Sequence, residues 1–312
     1  NSSPSIPNFK SNHSIQQKIS NHLASLGCFE IMNNSLVKRQ YSNFLDEKSN
    51  NHISLLNPLS NDTATLRKSL IYGALEVLKF NHFNGNPNGA IFEWGKVYSI
   101  DENVHKEENR LLIATTGLQN EEHWFNGKLE SSFFQLKGII DSVFKSLGVC
   151  YETELLTKDH LWEEGLMVKK GKYTLAKIGT VRKEISSLIG LKKPCFVSEI
   201  YFDSLIKSNA NSKSKFKPIN KFQKVFRDLS ILISEEVTMQ EITNSINQVN
   251  SKLLKNTTLF DIYIDKKNVG KKAYGLRFEF LHSERTLKDK EVDSVMNSIQ
   301  SKLVSNFNAS LR

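Results

Sequence analysis

Beyond Val225 the apolar spacing switches from two residues to 3.6 and back, and the order of those switches leaves few folds open. VFRDLSILI (Val225–Ile233) puts Val225, Leu229, Ile231 and Ile233 on one parity, the mark of a half-buried strand. Thr238 and Glu241 then form a T-x-x-E capping box, with Val237 and Ile242 set for a hydrophobic staple. Ile242, Ile246, Val249 and Leu253 recur at helical spacing behind it. TLFDIYI and AYGLRFEF read as two strands joined by the DKKNVGKK turn. A last helix is expected from about Thr286, with Asp289 at N3 and Val292, Val295, Met296, Ile299 and Leu303 as its stripe. The terminal ASLR reads as a short fourth strand.

The order β-α-β-β-α-β is the ferredoxin-like pattern, an antiparallel sheet with both helices on one face. Open sheet faces of this kind bind RNA through exposed aromatics, although the fold alone assigns no function. Upstream lies KSNANSKSKFKPINKF (Lys207–Phe222), which is Ser/Asn/Lys-rich, carries Pro218 and has linker composition. The expected organisation is a domain over 1–212, a linker over 213–217 and a second domain over 218–312. In the first, Ser14 and Gln17 read as a capping box, Ile15, Ile19, Leu23 and Leu26 as a helical stripe and Gly27 as its C-cap. FEIMNNSLV reads as a strand, and a long helix is expected from about Thr65 to Phe80. Strands follow at Ala90–Ile100 and Arg110–Leu118, then a helix at about Phe134–Leu147, then short strands near 164–169 and 173–179. The segment is an α+β domain built on an antiparallel sheet.

Composition narrows the classes. No apolar run approaches the roughly 20 residues of a membrane span. NSSPSIPNFK has no apolar core of a signal peptide, and with no initiator Met the chain reads as a fragment or a processed piece. Cys28, Cys150 and Cys195 are widely spaced beside apolar residues and read as buried free thiols of a reducing cytoplasm. His52, His82, His105, His123 and His160 lack metal-ligand spacing, so no metal site is expected. The net charge is +9, and residues 217–312 hold 16 Lys and Arg against 11 Asp and Glu, so the basic excess is denser there. That balance is compatible with a polyanionic partner and equally with a solvated surface.

LLNPLSNDTATLRKSL (Leu55–Leu70), IFEWGKVYS (Ile91–Ser99), FFQLKGIIDSVFKSLG (Phe133–Gly148), VFRDLSILI, LFDIYID with GKKAY, and ERTLKDKEVD with the final ASLR occur in that order. Together they closely resemble the C-terminal half of the β subunits of bacterial phenylalanyl-tRNA synthetases. The resemblance implies a class II synthetase-like antiparallel sheet domain followed by a ferredoxin-like anticodon-binding domain. It also implies that the tRNA-binding and editing domains of such subunits lie upstream of this chain.

The resemblance further implies a catalytically silent first domain. The α subunit of the family holds the ATP α-phosphate with an arginine in a Gly-basic-Val-aromatic-Arg strand, where charge grows in the transition state. Here the stretch is Gly95-Lys96-Val97-Tyr98-Ser99, and a neutral hydroxyl at Ser99 cannot replace a guanidinium fork. The family's Phe-His-Gln-x-Glu-Gly strand is matched to Phe133-Phe134-Gln135-Leu136-Lys137-Gly138, with Lys137 at the acidic position. No Gly-x-Gly-x-x-Arg clamp occurs in 150–216. The expectation is that this chain binds no cofactor, ATP and Mg belonging to the α-subunit site of the holoenzyme.

Expected partners are the α subunit and tRNA-Phe, with no membrane. Ile15, Ile19, Leu23, Leu66, Arg67 and Leu70 are the candidate α-subunit interface, the alternative being the domain's own core. Arg67, read at a helix start where it opposes the dipole, demands an acidic partner. Deprived of α, the vacant face is expected to form a homodimer. For RNA, the resemblance implies that Asp261 and Tyr263 meet the first anticodon base, a guanosine. A tyrosine ring stacks on a purine, and a carboxylate accepts from the two N–H groups of the guanine edge. Asp261 and Tyr263 share one strand face, with Phe260 and Ile262 expected to face the helices. Lys266, Lys267, Lys271 and Lys272 lie at the turn within reach of phosphates, and Arg227 is a further contact candidate. Asp228 and Arg285 read equally as an internal ion pair. A free-standing RNA-binding protein built from a synthetase module is the runner-up, and an active small-molecule ligase a weaker third.

Overall fold

The computed structural model describes residues 12–41, 52–102, 104–120, 124–125, 127–156, 159–209, 218–264 and 270–311. The chain divides into two compact units, Asn1–Ser214 and Lys215–Arg312.

The first unit is built on a seven-stranded sheet. Its strands are β1 (Phe29–Glu30), β4 (Gly89–Asp101), β5 (Val104–Thr116), β6 (Glu152–Leu155), β7 (Trp162–Lys170), β8 (Tyr173–Val181) and β9 (Cys195–Tyr201). They lie in the order β1-β4-β5-β9-β8-β7-β6, with β1 parallel to β4 and the other pairs antiparallel. The middle of the sheet is buried on both faces, which explains the nearly continuous apolar run RLLIATT. Leu112 and Ala114 of β5 join a core with α2 (Ile71–Phe83) and α4 (Lys183–Ile189). Leu111 and Ile113 point the other way, into a core with α1 (Asn12–Ser25), α3 (Phe133–Ser146) and α5 (Phe202–Asn209).

Several expectations shift. FEIMNNSLV forms only β1 and the short β2 (Leu36–Val37), because Asn33 between them is drawn onto Glu93 of β4 by two hydrogen bonds of 3.1 and 2.8 Å. The helix expected from Thr65 begins at Ile71. Thr65–Leu66 is instead strand β3, paired with β2. The backbone N–H groups of Leu66 and Arg67 donate to Ile53 and Ser35, and the Arg67 carbonyl accepts from Tyr98. Those groups are therefore committed before a helix can use them. α1 already runs from Asn12, so Ser14 lies inside it rather than at its cap. Cys28 and Cys195 are buried, and burial pushes both thiols up to about 11. Cys150 is exposed, because it follows the end of α3 on the way to β6.

Arg67 has its acid, but for another reason than a helix start. Its Nη1 lies 2.6 Å from Glu93 Oε1, both side chains are buried, and its Nε donates to the Lys96 carbonyl at 3.0 Å. A side chain at Gly95 would collide with the guanidinium and with Leu70, so the glycine makes room for the pair. Ile19, Leu23, Leu70 and Arg67 are all buried within the unit, and Ile15 packs against the same core as Ile19. They are core rather than exposed surface, with Leu66 half-buried on β3.

The second unit follows the expected order: β10 (Val225–Ser234), α6 (Met239–Asn247), β11 (Leu254–Ile264), β12 (Lys271–Phe280), α7 (Asp289–Phe307) and β13 (Ser310–Leu311). The sheet order is β11-β12-β10-β13, antiparallel throughout. Leu229, Ile231, Ile233, Tyr274, Leu276, Phe278 and Phe280 meet Ile242, Ile246, Val292, Met296, Ile299 and Leu303 in one core. The Thr238–Glu241 capping box is formed as read. α7 starts two residues later than expected, with Glu291 rather than Asp289 at N3, accepting from the Lys288 N–H and gripped by Arg285 at 2.6 and 2.8 Å. Among the described residues no helix is long and apolar enough to cross a membrane.

Breaking a buried pair by removing one partner leaves an uncompensated charge, at a cost of about 3–5 kcal/mol. Arg67→Ala should lower stability by that amount in urea unfolding, and a loss below about 1 kcal/mol would show that Glu93 does not need it.

Candidate nucleic-acid interface and a charged cleft

The helices of the second unit cover one sheet face, and the alternation of each strand decides what the other face carries. On β12, Tyr274, Leu276, Phe278 and Phe280 point into the core. Arg277, Gly275, Ala273 and Lys271 therefore fall on the open side. On β10 the open residues are Phe226, Asp228, Ser230 and Leu232. On the edge strand β11, Asp261 pairs with Gly275 and Tyr263 with Ala273, so both stand on the open face together. Ile262 pairs with Tyr274 and is turned to the helix side, half-exposed at the sheet edge.

Phe260 is where the strand departs from simple alternation. The register slips between Leu259 and Asp261, a β-bulge that inserts one extra residue. Leu259 pairs with core-facing Leu276, Asp261 with open-facing Gly275, and Phe260 between them stands on the open side, 54 % exposed. The helix-facing position expected for it is thus overturned by the bulge. Gly275 permits this: a side chain there would meet Phe260 ring atoms at 3.0 and 3.1 Å and Asp261 Cβ at 3.0 Å.

Arg277 lies beside that ring, its guanidinium carbon 5.3 Å from the centroid. Asp228 grips the same guanidinium with two hydrogen bonds of 2.7 Å, and those bonds hold the Asp228 carboxyl below its ordinary range. Asp228 thus pairs with Arg277 and Arg285 with Glu291, not with each other. Arg277 was legible in hindsight, since AYGLRFEF gives it the parity of Gly275 opposite Asp228.

The remaining candidates separate. Arg227 shares the parity of the core residues of β10 and pairs with Asp289 at 2.8 Å, at the start of α7. It is on the helix face, away from Asp261 and Tyr263. Lys271 keeps open-face parity, whereas Lys272 lies 5.1 Å over the core-facing Tyr274 ring. Lys266 and Lys267 lie outside the described residues.

In the first unit a cleft of about 300 Å³ is lined by Ser69, Ser99, Arg110, Lys177, Glu199 and Tyr201, among others. Ser99 is on β4 at its wall. Of the cations lining the cleft, Lys68, Arg110 and Lys177, the last two are held by carboxylates. Arg110 donates to Glu199 at 2.9 Å and Glu108 at 2.7 Å and stacks 4.1 Å from the Tyr201 ring. Lys177 donates to Asp159 at 3.0 Å. Burial works against both charges, and the surrounding oxygens of Glu199, Tyr201, Glu108 and Asp159 more than offset it, so both pKa values rise. Glu199 also accepts from the Ser69 hydroxyl at 3.1 Å and the Leu70 N–H at 2.9 Å. Lys137 is not in a strand: it lies on α3, bonded to Asp141 at 2.8 Å. The match of FFQLKG to a strand therefore fails, because its leucine and isoleucines take helical spacing. Among the described residues no cluster of three His, Cys, Asp or Glu side chains could hold a metal ion.

Comparison with known proteins agrees with both halves. The family model described as the phenylalanyl tRNA synthetase beta chain CLM domain matches residues 2–202, and the ferredoxin-fold anticodon binding domain matches 220–312. Proteins named phenylalanine–tRNA ligase beta subunit are similar. That of Bacteroides thetaiotaomicron is 31% identical over 96% of this chain and 38% of its own length. That of Porphyromonas gingivalis is 31% identical over 95% and 38%, and that of Clostridium acetobutylicum 28% identical over 96% and 37%. The chain thus spans about 38% of the length of the first of these relatives. A crystal structure of pyrrolysyl-tRNA synthetase from Desulfitobacterium hafniense shares the fold with a TM-score of 0.52 at 14% identity, over 66% of this chain and 72% of that one. With a synthetase-like sheet unit and a ferredoxin-like unit each matched in order, this chain belongs to the phenylalanyl-tRNA synthetase β-chain family.

Proposed function

We propose that this chain is the α-docking and anticodon-binding portion of a phenylalanine–tRNA ligase, and that it does no chemistry itself. The observation that carries the reading is the placement of Asp261 and Tyr263 side by side on the open sheet face of the unit matched as anticodon-binding. A ring and a carboxylate so placed take an unstacked guanine by its face and its Watson–Crick edge. Lys271 on the same face supplies phosphate contact. The holoenzyme joins phenylalanine to tRNA-Phe with ATP and Mg at the α subunit, in the cytoplasm. The linker expected at 213–217 lies outside the described residues. The relatives carry both units inside a longer chain, which disfavours the free-standing RNA-binding alternative.

The silent cleft supports the non-catalytic part of this reading. A class II centre aims cations at phosphate, and here Arg110 and Lys177 are already occupied by carboxylates while Ser99 offers only a hydroxyl. The docking surface is reassigned from the buried stripe to exposed apolar residues near β1 and the β2–β3 ladder. Phe29, Met32, Leu56 and Leu59 are all strongly exposed, and pairing of Leu36 with Leu66 and Val37 with Thr65 ties their two segments together. Exposed apolar residues gathered on linked segments are where the α subunit would dock; in isolation a second copy takes that place.

Three measurements test these readings. Binding to a tRNA-Phe anticodon stem-loop should weaken by about 1–3 kcal/mol in Tyr263→Ala with the salt slope unchanged. Equal binding, or only a salt-sensitive background, removes the anticodon role. Neither the chain alone nor Ser99→Arg should catalyse ATP–pyrophosphate exchange, and exchange by either one overturns the silent cleft. Met32→Asp with Leu56→Asp should abolish co-purification with the α subunit and convert an isolated homodimer to monomer in sedimentation. A wild-type chain that sediments as monomer removes the homodimer, and undiminished α capture removes the patch.

A further inference from the structure

The bulge at Leu259–Asp261 does more than shift a register. It spends one residue of β11 to turn a phenylalanine out of the core and onto the sheet face that Asp261 and Tyr263 occupy. Exposing a large ring loses burial that a helix-facing position would have gained. The surroundings are arranged around that exposed ring. Gly275 leaves out the side chain that would collide with it. Arg277 stands 5.3 Å from its centroid, and Asp228 fixes Arg277 through two 2.7 Å hydrogen bonds. The ring is therefore braced from below and from one side, with more than half of its surface still open to solvent.

We propose that Phe260 is a second base-stacking surface, adjacent to Tyr263, that takes an unstacked nucleobase next to the one held at Asp261 and Tyr263. The inference rests on the anticodon reading above and extends it from one base to two. Three features favour a nucleobase as the occupant. Phe260 and Tyr263 are 54 % and 50 % exposed, the two large rings that β11 offers on this face. Gly275 and Ala273 beneath them are small and already covered, so the rings rather than the sheet floor are what an incoming flat group meets. Lys271 on the same face carries positive charge for the flanking backbone, whereas the charge of Arg277 is matched by Asp228 and serves to hold the ring. Stacking of this kind is tolerant of base identity, so Phe260 adds affinity and fixes the path of the loop, while Asp261 reads the guanine edge.

The test uses the full 312-residue chain and tRNA-Phe anticodon stem-loops carrying 2-aminopurine at one loop position at a time. Phe260→Leu keeps an apolar cover over Gly275 but removes the π face, and Phe260→Trp restores a face. The expected result is a loss of about 5- to 150-fold in affinity for Phe260→Leu, recovery in Phe260→Trp, and loss of quenching at a loop position different from the one lost in Tyr263→Ala. If Phe260→Leu binds and quenches like wild type while Tyr263→Ala is weakened, Phe260 merely covers the glycine and the inference is overturned, though the anticodon reading stands. If the wild-type chain binds no stem-loop, both fall together.

Discussion

A single buried carboxylate, that of Glu199, ties together the parts of the first unit that a synthetase would use for chemistry. One oxygen accepts from the Ser69 hydroxyl and the Leu70 N–H, at the N-terminal end of α2, where a negative charge meets the positive end of the helix dipole. The other takes the guanidinium of Arg110. A strand in the middle of the sheet, its neighbour and a helix on its face are thereby fixed by one group. The arrangement engages Arg110, one of the cations that line the cleft. Arg110 is held by Glu108 as well and lies flat on Tyr201, so it has little left for a phosphate. The same network thus both braces the cleft and engages Arg110 within it.

A second buried pair, Arg67 with Glu93, works in the same way on the neighbouring segment. Its guanidinium also caps the Lys96 carbonyl, and Glu93 collects the backbone and side chain of Asn33. A loop that would otherwise leave polar groups buried and unpaired is laced onto β4. This frees apolar residues such as Met32 and Leu56 to face outward, since the loop does not depend on them for its own anchoring. The buried polar pair that anchors the loop and its exposed apolar residues are therefore different side chains. The members of the family with which this chain is grouped carry such a unit as part of a longer β chain.

The second unit separates its tasks by parity. The core residues of β10 and β12 hold the helices, and the opposite parity builds the open face with its Asp228–Arg277 pair. Only β11, at the edge, breaks the rule, and it does so where the aromatic and acidic residues of the face are concentrated. Edge strands tolerate such a bulge because one side has no ladder to disrupt.

What the sequence determined by itself was the kind and order of the elements of the second unit. Period-two and period-3.6 patterns placed β10, α6, β12 and α7 to within a few residues, and the Thr238–Glu241 box marked a helix start, because these signals are local. The shared face of Asp261 and Tyr263 followed from their spacing of two. The tertiary structure alone decided the rest. Thr65–Leu66 became a strand because β2 was there to pair with it, and Ile19 and Leu23 of α1 proved to be core because α3 and β5 cover them, while Leu26 past its end is exposed. Arg110 found Glu199 across 89 positions of chain, a distance no local pattern reports. Phe260 reached the open face because the opposing residue was a glycine on another strand, so its position depends on register between strands and not on the alternation within one.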